Sequence, residues 1–355
     1  MNIHPHEQSN THGSLRPAEM TFTAQDVVRL GHGSGGRLSR ELIEGLILPA
    51  LGQAAPTQLE DGAILAPLHT DMVFTTDSYV VSPLEFPGGN IGTLCVAGTV
   101  NDLAMMGARP VALSLGMILE EGLPLETLQR LVRSIGETAR IAGVAFHCGD
   151  TKVVERGKGD GIYINTAGIG ERVYAPNPMS IKPGDGVILS GTMGDHGFTI
   201  LTQRKGFALQ SDLRSDCAPL YTLVQKLCAQ VPVRWMRDPT RGGVATALCE
   251  LCDSKPWSIT LEEPAFPLHP AVLGLSEILG LDPLYSANEG KFLVVVPEAL
   301  IDKSLQALHQ HPLGINAACI GRITTGHPGK LLLHTSMDSV RVMHMLASDP
   351  LPRIC

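Results

Sequence analysis

Apolar positions take up a helical rhythm at Leu38, Leu42, Ile43 and Leu46, directly after a glycine-rich run, GHGSGG, at Gly31–Gly36. The short apolar run VVRL precedes that loop. Strand-like runs follow at Ala63–Ala66 and Val73–Thr76. A long apolar segment, Ile91–Met106, reads as a helix ended by Gly107 and Pro110. A second helix is predicted over Leu125–Ile141, because Leu128, Leu131, Val132 and Ile135 share one face and Gly143 stands just past its end. IYINTAGIG, Ile162–Gly170, reads as a strand.

IKPGDGVILSG, Ile181–Gly191, combines a turn, a strand and a second glycine-rich turn, and reads as the opening of a second unit. That unit carries expected helices near Pro219–Ala229 and Val244–Cys252, and strands at Ser258–Leu261, Phe292–Val296 and Ile320–Ile323. The ends differ from both units. Residues 1–25 are polar, include His4, His6 and His12, and read as a flexible extension. Residues 346–355 hold two prolines and no periodicity, and read as a mobile tail. The expected organisation is therefore two α/β-type domains, 26–172 and 173–345, meeting near Gly170–Lys182.

Composition agrees with that reading. Of 355 residues 44% are hydrophobic but only 4% aromatic, with 38 glycines and 25 prolines, which suits a fold of Val, Ile, Leu and Ala strands and helices joined by tight turns. The net charge of −8 argues against nucleic acid as a partner. No apolar run reaches the ~18 residues of a membrane span, and the N-terminus lacks the apolar stretch of a signal peptide. Eight irregularly spaced cysteines do not form a disulfide framework, so the expected compartment is the cytosol, with reduced thiols.

The chemistry-bearing positions are mostly acids. Asn101 and Asp102 interrupt the otherwise apolar Ile91–Met106 helix; such a carboxylate is either at a solvated helix end or held by a charge or metal. Asp61 (LEDGA), Asp77 (FTTDSYV) and Asp150 (CGDTKV) read as lying where strands meet turns. Singly each suits a turn or cap; together with Asp102 they suit hard cations that bridge a triphosphate, with Asp238 (DPTRGG) as a fifth member. No Walker A pattern occurs. GHGSGG formally fits the dinucleotide fingerprint through Gly31, Gly33 and Gly36, but the following elements do not alternate as that fold requires. A loop closing over phosphates through backbone N–H groups at Gly33, Gly35 and Gly36 fits better. SGTMGDHG, Ser190–Gly197, is a second such turn. Cys249 and Cys252 form a C-x-x-C within a helical pattern and read as core packing, whereas Cys355 is the last residue, on the tail, beside the charge of Arg353.

Taken together, HGSGG, TTDSYVVSPLEFPGGNIG, NDLAMMGA, LEEGLP, GDTKVV, SGTMGDHG, RDPTRGG, ANEGK and the terminal PRIC resemble the HypE family, the carbamoyl dehydratases of hydrogenase maturation, from Leu30 to Cys355. DPTRGG alone is shared with the wider superfamily of aminoimidazole ribonucleotide synthetase, selenophosphate synthetase and thiamine monophosphate kinase. The longer polar N-terminus and the C-x-x-C depart from the pattern. The resemblance implies an aminoimidazole ribonucleotide synthetase-like fold: an N-terminal α/β domain whose sheet makes a homodimer, with nucleotide sites at that interface, and a C-terminal α+β domain. It implies ATP and Mg²⁺ as cofactors, with Asp61, Asp77, Asp102, Asp150 and Asp238 at metal and phosphate positions and Asn101 and Thr151 beside the nucleotide. It also implies that the carbamoyltransferase HypF loads Cys355, that Glu289 and Lys152 assist dehydration of the carbamoyl group to a thiocyanate, and that cyanide passes to iron on a HypC–HypD complex.

Two rival functions remain. A small-molecule kinase or selenophosphate synthetase would keep the fold, but the latter wants a reactive cysteine near the N-terminus, and the first here, Cys95, lies inside a predicted helix. A non-catalytic assembly scaffold would not need the aspartates, Lys152 or Glu289.

Overall fold

The apolar Ile91–Met105 helix is the centre of the molecule, and its composition follows from its surroundings. Asn90 starts it by accepting hydrogen bonds from the N–H groups of Gly92 (2.8 Å) and Thr93 (3.1 Å). Strands cover one side and other helices the rest, so that almost every residue in it is buried. Gly92 lets the Leu125–Ala142 helix approach closely: a Cβ there would lie 2.3 Å from the Leu131 carbonyl oxygen. The computed structural model from which these positions come describes residues 25–34, 36–53, 63, 65–205, 212–346 and 353–354.

The first sheet has four strands in the order Met72–Tyr79, Ile162–Arg172, Ala108–Glu120, Ala145–Val154. The first two pairings are antiparallel and the last is parallel. Leu113, Leu115, Met117 and Leu119 are buried on the face that carries the helices. The alternate positions form an open face, on which Met72 and Phe74 are each 63% exposed and Ile118 is 44% exposed. The second sheet has seven strands in the order Val340–Met343, Leu331–His334, Ser258–Glu262, Ala318–Thr324, Gly186–Leu189, Leu293–Val296, Trp235–Arg237. Its central strands, Gly186–Leu189 and Leu293–Val296, are buried at every residue, which is why they read as unbroken apolar runs. Helices Asp195–Lys205, Tyr221–Cys228, Gly243–Cys252, Pro270–Leu279 and Ile301–His309 complete this half.

One hydrophobic cluster joins the halves, from Leu94 and Val100 through Leu220 and Leu223 to Val294. A polar tie is set into it. Asn101 donates to the carbonyl oxygens of Ala218 (3.1 Å) and Glu289 (3.2 Å) and accepts from the N–H of Leu220 (2.7 Å).

Most of the expected elements are present, with differences that have physical causes. Ala63, Leu65 and Ala66 carry no regular structure, and Ile64 lies outside the described residues. The helical stretch after the glycine run is Arg37–Leu42 and Leu48–Ala50 with a π-turn, Ile43–Ile47, between them. Strand Ala108–Glu120 escaped notice because it follows the helix after a single glycine turn, without a loop to announce it, and Ala145–Val154 because it is an edge strand rich in polar residues. Residues 1–24 with their histidines, and residues 347–352 and 355 of the tail, lie outside the described residues; Arg353 and Ile354 do not fit a free tail, since Ile354 is 2% exposed within the main cluster.

Replacing Asn101 by alanine leaves a buried N–H and two buried carbonyls without these partners, and should lower unfolding stability by about 3 kcal/mol. The urea midpoint of Asn101→Ala reads this directly; a midpoint equal to that of the parent would show that the tie contributes nothing.

Candidate functional site

Three turns of the second half converge against the C-terminal end of the central helix. Asn288 holds them together. It accepts from the N–H of Gly194 (2.7 Å) and donates to the carbonyls of Pro239 and Ser286 (both 3.0 Å), so that SGTMGDHG, DPTRGG and ANEGK share one side chain. Asp216 fixes the last of them by accepting from the N–H groups of Glu289 and Gly290 (both 3.2 Å), with Lys291 Nζ 3.8 Å away. Gly290 is required by that approach, because a Cβ would fall 1.7 Å from the Asp216 carbonyl oxygen.

Carboxyl groups collect here. Thr75 donates to Asp102 (2.8 Å), and burial followed by repulsion from Asp77 raises the Asp102 pKa. Burial, then repulsion from Asp102, pushes Asp238 up to about 7. Glu289 is 3% exposed, and its Oε1 has no hydrogen-bond partner. Burial, followed by repulsion from Asp216, Asp238 and Asp77, carries its pKa well above the ordinary carboxylate value. Asp195, buried near Asp216, is pushed up to about 6 by burial first and that neighbour second.

The structure brings together Asp77, Asp102, Asp238 and Glu289, but separates them from Asp150 and Lys152. Asp77 pairs in register with Thr166, on the helix-bearing face. Asp150 and Lys152 pair with Gly116 and Ile118, on the open face, and lie within strand Ala145–Val154 rather than at its end. Asp77 is likewise inside its strand, Met72–Tyr79. Lys152 Nζ is 2.6 and 2.7 Å from the two oxygens of Asp150; that hydrogen bond lowers the Asp150 pKa, and both side chains are exposed. Thr151 faces the helices beside Met117, and its N–H donates to Asp150 Oδ1 (2.9 Å). Within one chain Asp150 therefore stands on the opposite face of the sheet from Asp77 and Asp102, because strand alternation puts odd and even positions on opposite faces.

Other expected residues have different surroundings. Asn101 is buried with its amide committed to the tie between the halves. Gly33 packs against the edge of the first sheet, where a Cβ would lie 2.3 Å from the Val153 nitrogen. Asp61, Gly35 and Cys355 lie outside the described residues, and Gly36 precedes helix Arg37–Leu42. Cys249 and Cys252 pack in the second core, and burial pushes their thiols up to about 12 and about 11. Sequence reasoning passed over Asn288, Asp216, Asp195, His196 and Lys291 as individuals; all but Asp216 lie within runs it had marked as motifs.

Among the described residues no three His, Cys, Asp or Glu side chains are placed to enclose a metal ion. A crowd of hard oxygen donors that repel one another, short of a full cage, fits a magnesium ion that keeps waters and shares phosphate oxygens. No helix among the described residues is long and apolar enough to cross a membrane.

This architecture is that of the AIR synthase related proteins: the model of their N-terminal domain matches residues 59–172 and that of their C-terminal domain matches residues 182–334. The carbamoyl dehydratase HypE of Rhodobacter capsulatus is 45% identical over 336 residues, covering 92% of this chain and 98% of that protein. A crystal structure of the hydrogenase maturation protein HypE in complex with ATP superposes with a TM-score of 0.87 at 45% identity, covering 92% of this chain and 99% of the other. HypE from a HypE–HypF complex gives 0.74 at 37% identity, over 88% and 100%. The chain belongs to the HypE family.

The raised carboxyls make stability depend on pH. Asp238 has a folded pKa of about 7 against an ordinary 3.8, so the folded state binds more protons than the unfolded state across that interval. Its stabilising contribution is complete below about pH 4 and is lost as pH rises through about 7. In metal-free protein, Asp238→Asn should flatten the fall in melting temperature between these limits. Parallel curves for parent and variant would contradict the placement of this carboxyl.

Proposed function

We propose that this protein uses ATP to dehydrate a carbamoyl group carried on the sulfur of Cys355, giving a thiocyanate that supplies the cyanide ligand of nickel–iron hydrogenase. The observation that carries the reading is the docking of the chain end. Ile354 is buried, and its carbonyl is held by His196, which feels the charge of Asp216, the residue that fixes the Glu289 turn. Support from relatives comes from the name carbamoyl dehydratase, an ATP-bound structure and a complex with HypF.

Carbamoyl thioester and ATP become thiocyanate, ADP and phosphate: the amide oxygen leaves on phosphate, and the nitrogen gives up two protons. Mg²⁺, when bound, offsets phosphate charge; Asp77, Asp102 and Asp238 are the residues that would hold it, with Asp61 as the further member. Glu289 sits where an acceptor for an N–H proton is needed, and its burial shields that step from water. Its raised pKa makes it a stronger base than an exposed carboxylate, and a nearby cation favours the ionised form that accepts the proton. Lys152 supplies such a cation only from elsewhere, because its own sheet separates it from Glu289. The open face around Phe74 and Ile118 suits a second copy, and the working form is a homodimer with nucleotide sites at that interface, to which Lys152 and Asp150 belong. HypF loads the thiol, HypC–HypD receives the cyanide, and the protein works in the cytoplasm.

Intact-mass measurement tests the reaction. After carbamoylation, adding ATP and Mg²⁺ should remove one water from the parent, whereas Cys355→Ser should never take up the group. A carbamoylated protein that keeps its mass while ATP is consumed would sink the proposal.

Shared sites have their own signature. Lys152→Ala and Glu289→Ala should each be inactive as pure dimers. Unfolded, mixed in equal amounts and refolded together, they should recover about a quarter of the parent rate, since half of the dimers are mixed and each has one intact site. No recovery, with mixed dimers demonstrated by mass, would place Lys152 and Glu289 in the same chain's site.

A further inference from the structure

His196 has no solvent exposure, and the mechanism above gives it no proton to move. Its hydrogen bonds define a proton arrangement. The Ile354 carbonyl, 2.7 Å from Nε2, can only accept, so Nε2 carries the hydrogen. Burial lowers the His196 pKa and keeps the ring neutral, which leaves Nδ1 to accept from the Ser215 hydroxyl at 2.8 Å. Ser215 Oγ in turn accepts from the N–H of Cys217 (3.1 Å). Phe86 meets the ring edge-on, with centroids 5.4 Å apart, and limits its rotation. The chain from Cys217 through Ser215 to His196 therefore ends in one N–H aimed at a single carbonyl of the tail.

The residue before is gripped from both halves of the molecule. Arg204 donates to the Arg353 carbonyl and, through Nε, to the Ser82 carbonyl at 2.6 Å; the Ser82 N–H also reaches the Arg353 carbonyl at 3.3 Å. The Arg353 guanidinium pairs with Asp160. Arg353 has φ +58°, in the left-handed region, so the backbone turns between the two grips and sends the Ile354 side chain into the core.

We propose that His196, oriented by Ser215, is a register-setting latch: it reads the Ile354 carbonyl and thereby fixes where the next residue, Cys355, is presented. His196 acts as a positioning residue and does not touch the reacting atoms. The ligand of this latch is a peptide end of the form Arg-Ile-Cys, with the isoleucine as its apolar anchor. A tail one residue longer or shorter would offer either the carbonyl or the anchor in the wrong place. The proposal rests on the reading that Cys355 is the carrier, but its test needs no carbamoylation.

The experiment is a timed iodoacetamide pulse on the full chain, with alkylation of each cysteine quantified by peptide mass spectrometry. A short cysteine-containing peptide added to each reaction serves as the internal clock. His196→Ala and Ser215→Ala should speed alkylation of Cys355 about tenfold relative to that peptide, the effect expected when a buried hydrogen bond that holds a docked segment is lost. His196→Gln, whose side-chain N–H can occupy the place of Nε2–H, should return the rate toward that of the parent. Should His196→Ala unfold the protein, the buried Cys95 and Cys217 will be labelled as well, and Ile354→Gly, which changes only the tail, decides: it too should speed Cys355 about tenfold. Rates within about twofold of the parent in Ile354→Gly and Ser215→Ala overturn the latch. A latch that opens as described in a protein that never forms thiocyanate would instead overturn the functional reading alone.

Discussion

A helix with no polar face persists in water only when something covers every side of it, and the Ile91–Met105 helix is covered by both halves of the molecule. Much of the rest follows from this. The first sheet must lend one whole face to the helix, which leaves its other face open. The second half must reach across to close the remaining side, which brings Leu220 and Leu223 into the same cluster as Leu94. Closing that side buries backbone polar groups at Ala218, Leu220 and Glu289, and Asn101 meets all three. A site assembled at this seam inherits rigidity from a core that neither half completes alone.

Burial at the seam also sets the electrostatics. Carboxyls gathered at the seam lose water and repel one another, and these effects outweigh the arginines Arg237 and Arg241 nearby. Asp102 is raised, Asp238 reaches about 7, and Glu289 is carried well above the ordinary carboxylate value. Asp150, on the open face with Lys152 beside it, moves the other way. The two sides of one sheet thus face carboxyl environments of opposite effect, a buried acidic seam on one and an exposed Asp150–Lys152 pair on the other.

The helices and central strands were legible because their burial is one-sided or complete, and both leave a pattern: Leu128, Leu131, Val132 and Ile135 on a stripe, VVV at Val294–Val296 in a run. Edge strand Ala145–Val154 was not, since an exposed edge has little apolar signal to give. At the site, residue types in motifs were recognisable, yet their grouping was not. Asp77 and Asp150 look alike in sequence, each in a polar stretch of a strand; only the register with Thr166 and Gly116 shows that they face apart. Asn288 and Asp216 do their work through backbone N–H and C=O groups far away in the chain, and such partnerships leave no mark in a linear text.

The burial of Glu289 ties assembly to chemistry on the proposed reading. Burial and neighbouring carboxyls disfavour its ionised form, the form that accepts a proton. Each cation that enters the chamber favours the ionised form, because the same low-polarity surroundings that penalise a lone charge strengthen attraction between opposite ones. On the proposed reading, a magnesium ion carried in with the nucleotide would be such a cation. The base would then become competent only when dimer, metal nucleotide and tail are together. A chamber that ionises Glu289 late would protect a loaded carbamoyl group from premature reaction, and the raised carboxyls, costly in the empty protein, would be what makes that timing available.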